Sequence, residues 1–151
     1  MPASMQNLSP DTPMGATLVA GGATFRVWAP GASEVHVVLQ GFDEFEPGDA
    51  TLLTRDTQGR WAGFVMPVVE GQRYMFHVTG TGGASLKRDP YARELTTEEP
   101  WRCIVRGAEF TWHETGYRTP DFADLVIYQL HVGAFFAPKT PARFGTFLDG
   151  R

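Results

Sequence analysis

Up to Trp112, hydrophobic and polar residues alternate in short runs broken by turn residues. Residues 24–29 place Phe25, Val27 and Ala29 on one face and Arg26 and Trp28 on the other, the period-two pattern of a half-buried strand. Pro30 lacks a backbone donor and ends the run. Residues 34–39 set Val35, Val37 and Leu39 together, with His36 opposite. A strand around Leu52 and Leu53 is joined to residues 61–65 through Asp56-Thr57-Gln58-Gly59. There the aspartate bonds its own backbone and the glycine accepts positive φ. Glu70-Gly71-Gln72 then precedes residues 74–78, where Tyr74, Phe76 and Val78 share a face. Trp28 and Phe76 are assigned to the core, where large aromatics dominate packing. Gly31, Gly41, Gly48, Gly59, Gly71 and Gly80 recur at intervals of 7 to 12 residues, the rhythm of a sandwich or barrel. With no 3.6-residue period, the fold class predicted is all-β, an Ig-like antiparallel β-sandwich.

The pattern also divides the chain. Residues 1–15 carry prolines and serines without periodicity and read as a flexible leader. Residues 16–112 form the sandwich. Residues 113–124 are polar, hold Gly116 and Pro120, and read as a linker. Residues 125–132, Leu-Val-Ile-Tyr-Gln-Leu-His-Val, are apolar almost throughout, like a strand buried on both faces of a parallel sheet. Residues 125–151 are therefore expected to begin a second domain. Without a partner strand, residues 120–151 are expected to be mobile or to borrow an edge from the sandwich or from another copy.

Composition changes the picture in a few places. The 17 glycines and 11 prolines favour turns over long helices. A net charge of −4 leaves no electrostatic footprint for nucleic acid. The single cysteine, Cys103, forbids an intrachain disulfide and leans toward a reducing compartment. The first residues have neither a basic nor an apolar signal-like region. The longest apolar stretch, interrupted by Gln129 and His131, falls short of the about 18 residues a membrane span needs. A cytoplasmic location with no membrane contact is the default expectation. His36, His77, His113 and His131 are scattered, so no metal-ligand spacing appears, and Gly80-Thr81-Gly82-Gly83 lacks the lysine of a phosphate loop. No cofactor is expected.

Three stretches carry a family likeness: Phe25-Arg26-Val27-Trp28-Ala29-Pro30, then residues 86–95 (Leu-Lys-Arg-Asp-Pro-Tyr-Ala-Arg-Glu-Leu), then residues 126–135 (Val-Ile-Tyr-Gln-Leu-His-Val-Gly-Ala-Phe). In that order they resemble the amino-terminal part of the α-amylase superfamily, glycoside hydrolase family 13, and within it the glycogen branching enzymes and maltooligosyltrehalose trehalohydrolases. The resemblance implies a carbohydrate-binding module 48 over residues 16–112. It makes residues 126–132 the first strand of a catalytic (β/α)8 barrel, which needs about 200 residues in full and could only be truncated here. It further implies an α-glucan partner (glycogen, starch or maltooligosaccharide), a missing catalytic barrel of the same protein, and a parent acting on α-1,4 or α-1,6 glucosyl bonds by a retaining mechanism. Where the family has Gly-Asp-Phe-Asn-x-Trp, this chain has Gly41-Phe42-Asp43-Glu44-Phe45. Phe45 stands in place of the indole, which weakens the expected sugar site and favours a scaffold role.

Retaining glycosidases use two carboxyl groups about 5–5.5 Å apart, carried in this family on later barrel strands. Asp121, Asp124 and Asp149 match no catalytic motif and read as solvated charges, so no catalytic residue is assigned. His131 lies toward the end of the expected strand, where barrel enzymes place their chemistry. It is a candidate for bonding sugar hydroxyls, against the reading of a core histidine. Sugar recognition by a sandwich would use flat aromatic rings with polar neighbours. The candidates are Phe45, Trp61, Tyr91 and Trp101, with Lys87 or Arg88 as donors. Core packing competes for each ring, and residues 87–91 could instead form an interdomain contact. A free-standing, non-catalytic glycogen- or starch-binding module is the alternative function, and a structural Ig-like domain the third.

Overall fold

The structure is a computed structural model describing residues 2–107, 111 and 113–135. The chain forms two compact units, Met1–Phe110 and Thr111–Arg151.

The first unit contains β1 (Gly15–Val19), β2 (Gly22–Trp28), β3 (Ala32–Val38), β4 (Thr54–Arg55), β5 (Arg60–Val65), β6 (Arg73–Gly80), β7 (Gly83–Lys87), β8 (Glu94–Leu95) and β9 (Cys103–Ile104). One sheet has the order β1-β2-β5-β4; the other runs β3-β6-β9-β8, with β7 also paired to β6. Every pairing is antiparallel. The predicted all-β sandwich is the observed architecture.

Alternation places Ala23, Phe25 and Val27 of β2 in the core against Val35 and Val37 of β3 and Tyr74 and Phe76 of β6. Phe25 meets Tyr74 and Phe76 edge-on, with centroids 5.3 and 6.4 Å apart, a favoured aromatic arrangement. The chain changes sheets just before β4: Leu52 bridges His36 of one sheet, Leu53 donates to the Val35 carbonyl, and Thr54 pairs with Ala62 of the other. The strand expected at Leu52 and Leu53 is thus a crossing segment followed by a two-residue strand.

Three further expectations are corrected. Residues 2–14 are not a loose leader. Ala3 is buried, Ser4 pairs with Phe64, and Arg26 donates to the Pro10 and Thr12 carbonyls at 3.0 and 2.6 Å. Trp28 is not in the core. It stands opposite Arg60 at the end of β2 and is 61% exposed, its indole N–H bonded to the Gln58 carbonyl at 3.2 Å.

The third correction concerns the second unit. Its described part holds a single 3-10 turn, Phe122–Asp124, and a short helix, α1 (Val132–Phe135). No barrel strand forms over residues 125–132, and Val126 is 95% exposed. A strand has no internal hydrogen bonds and exists only beside a partner; among the described residues none pairs with this segment. Of residues 120–151, expected to be mobile or to borrow an edge, residues 136–151 lie outside the described residues.

Candidate functional site

Strand β6 has one continuous neighbour, β3, and two short ones that share its other edge. Near its start Arg73 and Tyr74 pair with β9; from Phe76 onward it pairs with β7. Met75 falls where these two part. Tyr74 and Phe76 point into the core, so Met75 points to the outer face. The result is a groove of about 650 Å³ with Met75 as its floor. Leu86, Lys87 and Arg88 line it on one side and Pro100 and Trp101 on the other. Trp101 is 45% exposed, and the Arg88 guanidinium lies 5.6 Å from its ring centroid, within cation–π range.

His77 stands two residues beyond Met75 and shares its face, opposite His36 in register. The Phe45 ring sits over this pair, 5.2 Å from His77 and 6.0 Å from His36, and also lines a cavity of about 530 Å³ with Leu39, Met66 and Gln72. The loop carrying Phe45 is tied to the segment carrying Trp101. Arg102 lies 4.2 Å from the Phe42 ring centroid and reaches Asp43 at 3.9 Å. One arginine therefore links the loops that present the two aromatic rings.

Among the predicted site residues, Phe45 and Trp101 gather on this outer face; Lys87 borders the groove, but its register partner is the core-facing Phe76, so its side chain belongs to the other face. Trp61 does not join them: it is 5% exposed in the core, and its indole N–H is satisfied by the Ala29 carbonyl at 3.0 Å, so it offers no ring face to a sugar. Its register partner is Val27, which fixes it inward. Tyr91 is exposed but does not line the groove. His131 sits at no strand end. It precedes α1, and its carbonyl accepts from Ala134 and Phe135 at 3.0 and 2.9 Å. Sequence reasoning missed Met75, His77 and Arg102. The only local signal for Arg102 was a cation adjoining an exposed tryptophan.

The residue 86–95 motif serves the sandwich through Asp89. This buried carboxylate accepts from the Tyr74 hydroxyl at 2.7 Å and from the Tyr91 amide at 2.8 Å, while the Asp89 amide donates to Cys103 Sγ at 3.2 Å. Burial holds the Asp89 carboxyl above the usual carboxylate range, against the lowering effect of those two hydrogen bonds. Burial likewise raises Tyr74 and Cys103. These groups anchor the strand ends that flank the groove and are closed to a ligand.

The profile of carbohydrate-binding module 48, the isoamylase N-terminal domain, matches residues 13–92. The chain belongs to this family. The module is 35% identical over 122 residues to the 1,4-alpha-glucan branching enzyme of Deinococcus radiodurans, covering 76% of this chain and 17% of that one. It is 33% identical over 136 residues to the branching enzyme of Geobacillus stearothermophilus, covering 85% and 21%. The chain thus spans about a fifth of the length of these curated relatives. A putative alpha amylase from Salmonella typhimurium superposes with a TM-score of 0.62 at 26% identity, over 83% of this chain and 20% of that one. A maltotriose complex of PulA from Klebsiella pneumoniae does so with a TM-score of 0.51 at 30% identity, over 62% and 11%. These likenesses agree with the family 13 resemblance of the three sequence motifs. The module is of the type found in branching enzymes and pullulanases. Among the described residues no helix is long and apolar enough to cross a membrane, and no cluster of metal-ligating side chains occurs.

Proposed function

We propose that the module docks an α-glucan on the outer face of its five-stranded sheet, in the groove floored by Met75. The observation that carries this reading is the Arg102 tie, which holds the loops of Phe45 and Trp101 over one face. Stacked sugar rings present apolar faces to such aromatics and hydroxyls to neighbouring donors, here Arg88. The PulA structure solved with maltotriose makes a malto-oligosaccharide the ligand to try first. Tyr91 and residues 87–91 beside the groove are available to contact a further domain.

In the whole protein the module would present glucan to a family 13 barrel outside the described residues, in the cytoplasm. That barrel would supply the carboxylates for a retaining reaction on α-1,4 or α-1,6 bonds. Gel retardation in glycogen tests the docking. The wild-type chain is retarded and Trp101→Ala migrates as it does without glycogen. Equal retardation of both, or none of the wild type, would refute glucan docking at this groove.

A further inference from the structure

A separate cavity of about 320 Å³ lies on the outer face of the other sheet, lined by Arg26, Arg55, Arg60 and Asp56, with Met5 and Leu8 among its apolar walls. Arg26, Ala62 and Thr54 stand side by side in register across β2, β5 and β4, and Arg60 precedes Ala62 by two residues on the same face.

Arg26 is only 9% exposed. Its Nη1 is taken by the Pro10 and Thr12 carbonyls, so its position is fixed, yet among the described residues no carboxylate forms an ion pair with it. Arg55, in register with the core-facing Trp61, lies on the opposite face and donates Nη2 to the Pro30 carbonyl at 2.9 Å; among the described residues Arg60 forms no ion pair. Asp56, the acid lining the cavity, directs Oδ1 to the Gln58 and Arg60 amides at 2.8 and 2.9 Å. The Arg60 amide first, then the Gln58 amide and the nearby charges of Arg60 and Arg26, hold its carboxyl below the usual range against the opposing effect of burial.

A buried cation without a close counter-charge is costly; Arg26 is such a cation, and Arg60 on the same face adds a second guanidinium beside the carboxylate of Asp56. Guanidinium forks match phosphate oxygens two at a time. The net positive charge of this pair against one carboxylate suits an anionic group such as a phosphate monoester, which carries about −1.5 to −2 at neutral pH. The cavity volume lies at the small end of the about 300–1,000 Å³ typical of small-molecule sites. We propose that this cavity binds a phosphate monoester of sugar size, with Arg26 and Arg60 as its principal donors and the wall from residues 5–10 closing over the ester's carbon skeleton.

The site lies on a different sheet from the glucan groove, so each proposal stands or falls alone. Isothermal titration of the full chain at constant ionic strength tests it with glucose 6-phosphate, a phosphorylated maltodextrin, and glucose. Glucose 6-phosphate binding in the wild type, weakened about tenfold or more in Arg60→Gln and little changed in Arg55→Gln, on the opposite face, supports a free ester as ligand. The same pattern with the phosphorylated maltodextrin alone supports an ester carried on a glucan. Arg26→Gln is avoided because Arg26 also holds residues 10–12. The absence of phosphate-dependent heat with both esters, glucose binding as tightly as its phosphate, or unaltered binding in Arg60→Gln would overturn the proposal.

Discussion

Tyr74 and Asp89 are joined by a 2.7 Å hydrogen bond inside the sandwich, which makes the most charged part of the residue 86–95 motif a packing device. Because burial raises the folded-state pKa of Asp89, the native protein binds its proton more tightly than the unfolded chain does. Its contribution to stability is complete below the ordinary carboxylate pKa and is lost as pH rises through the raised value. Asp89→Asn cannot titrate. The wild type's stability relative to this variant should therefore fall as pH rises from acid to neutral, measured by urea unfolding at several pH values. A difference that stays flat or grows with pH would contradict it.

Trp28 and Trp61 form a second test, since they lie on neighbouring strands with opposite exposure. Trp61→Ala should cost about 3–5 kcal/mol, as for other buried aromatics cut to alanine. Trp28→Ala should cost under about 1 kcal/mol, as at a surface position. Chemical unfolding of the two variants measures both. Equal losses would show that the exposed indole is covered in solution.

These two tryptophans also show what the sequence made legible. Alternation placed Trp28 opposite Phe25 and Val27, and that is where it points; only the habit of treating every large aromatic as core misassigned it. Trp61 tells the reverse story. Its inward position follows from the register with Val27, a pairing no local pattern specifies. Strands β2, β3, β5 and β6 were readable because one face of each is buried. Two-residue strands such as β8 and β9 carry no period, so the parting of β7 from β9 at Met75 could not be foreseen. Residues 125–132 were apolar enough for a buried strand, but hydrophobicity without a neighbour does not make one.

Gly22 starts β2 with its Cα side pressed against β5: a Cβ there would lie 2.3 Å from the Val65 carbonyl oxygen and 2.9 Å from the Phe64 ring. Backbone cannot yield cheaply at such a distance. Gly22→Ala should lose about 2 kcal/mol or more, read as a drop in melting temperature. Gly82→Ala, at a position open to solvent, serves as control and should change little.

Arg102 holds the Phe42–Asp43 loop against the Trp101 segment, so Arg102→Ala should weaken glycogen retardation by about 1 kcal/mol or more, roughly fivefold, without touching a sugar-facing ring. Arg106, whose guanidinium is paired with Glu94 at 2.6 and 2.9 Å, is the matched control. Arg106→Ala should leave retardation within about twofold of wild type. If both substitutions act alike, the Arg102 tie has no part in presenting the rings.

Amide shift mapping on the isotopically labelled full chain, titrated with maltoheptaose, tests the docking face most directly. The account predicts that the largest perturbations fall at residues 42–45, 75–77, 86–88 and 99–102, all on one side of the five-stranded sheet. Perturbations centred instead on Trp28 and the four-stranded sheet, or none at saturating oligosaccharide, would contradict it.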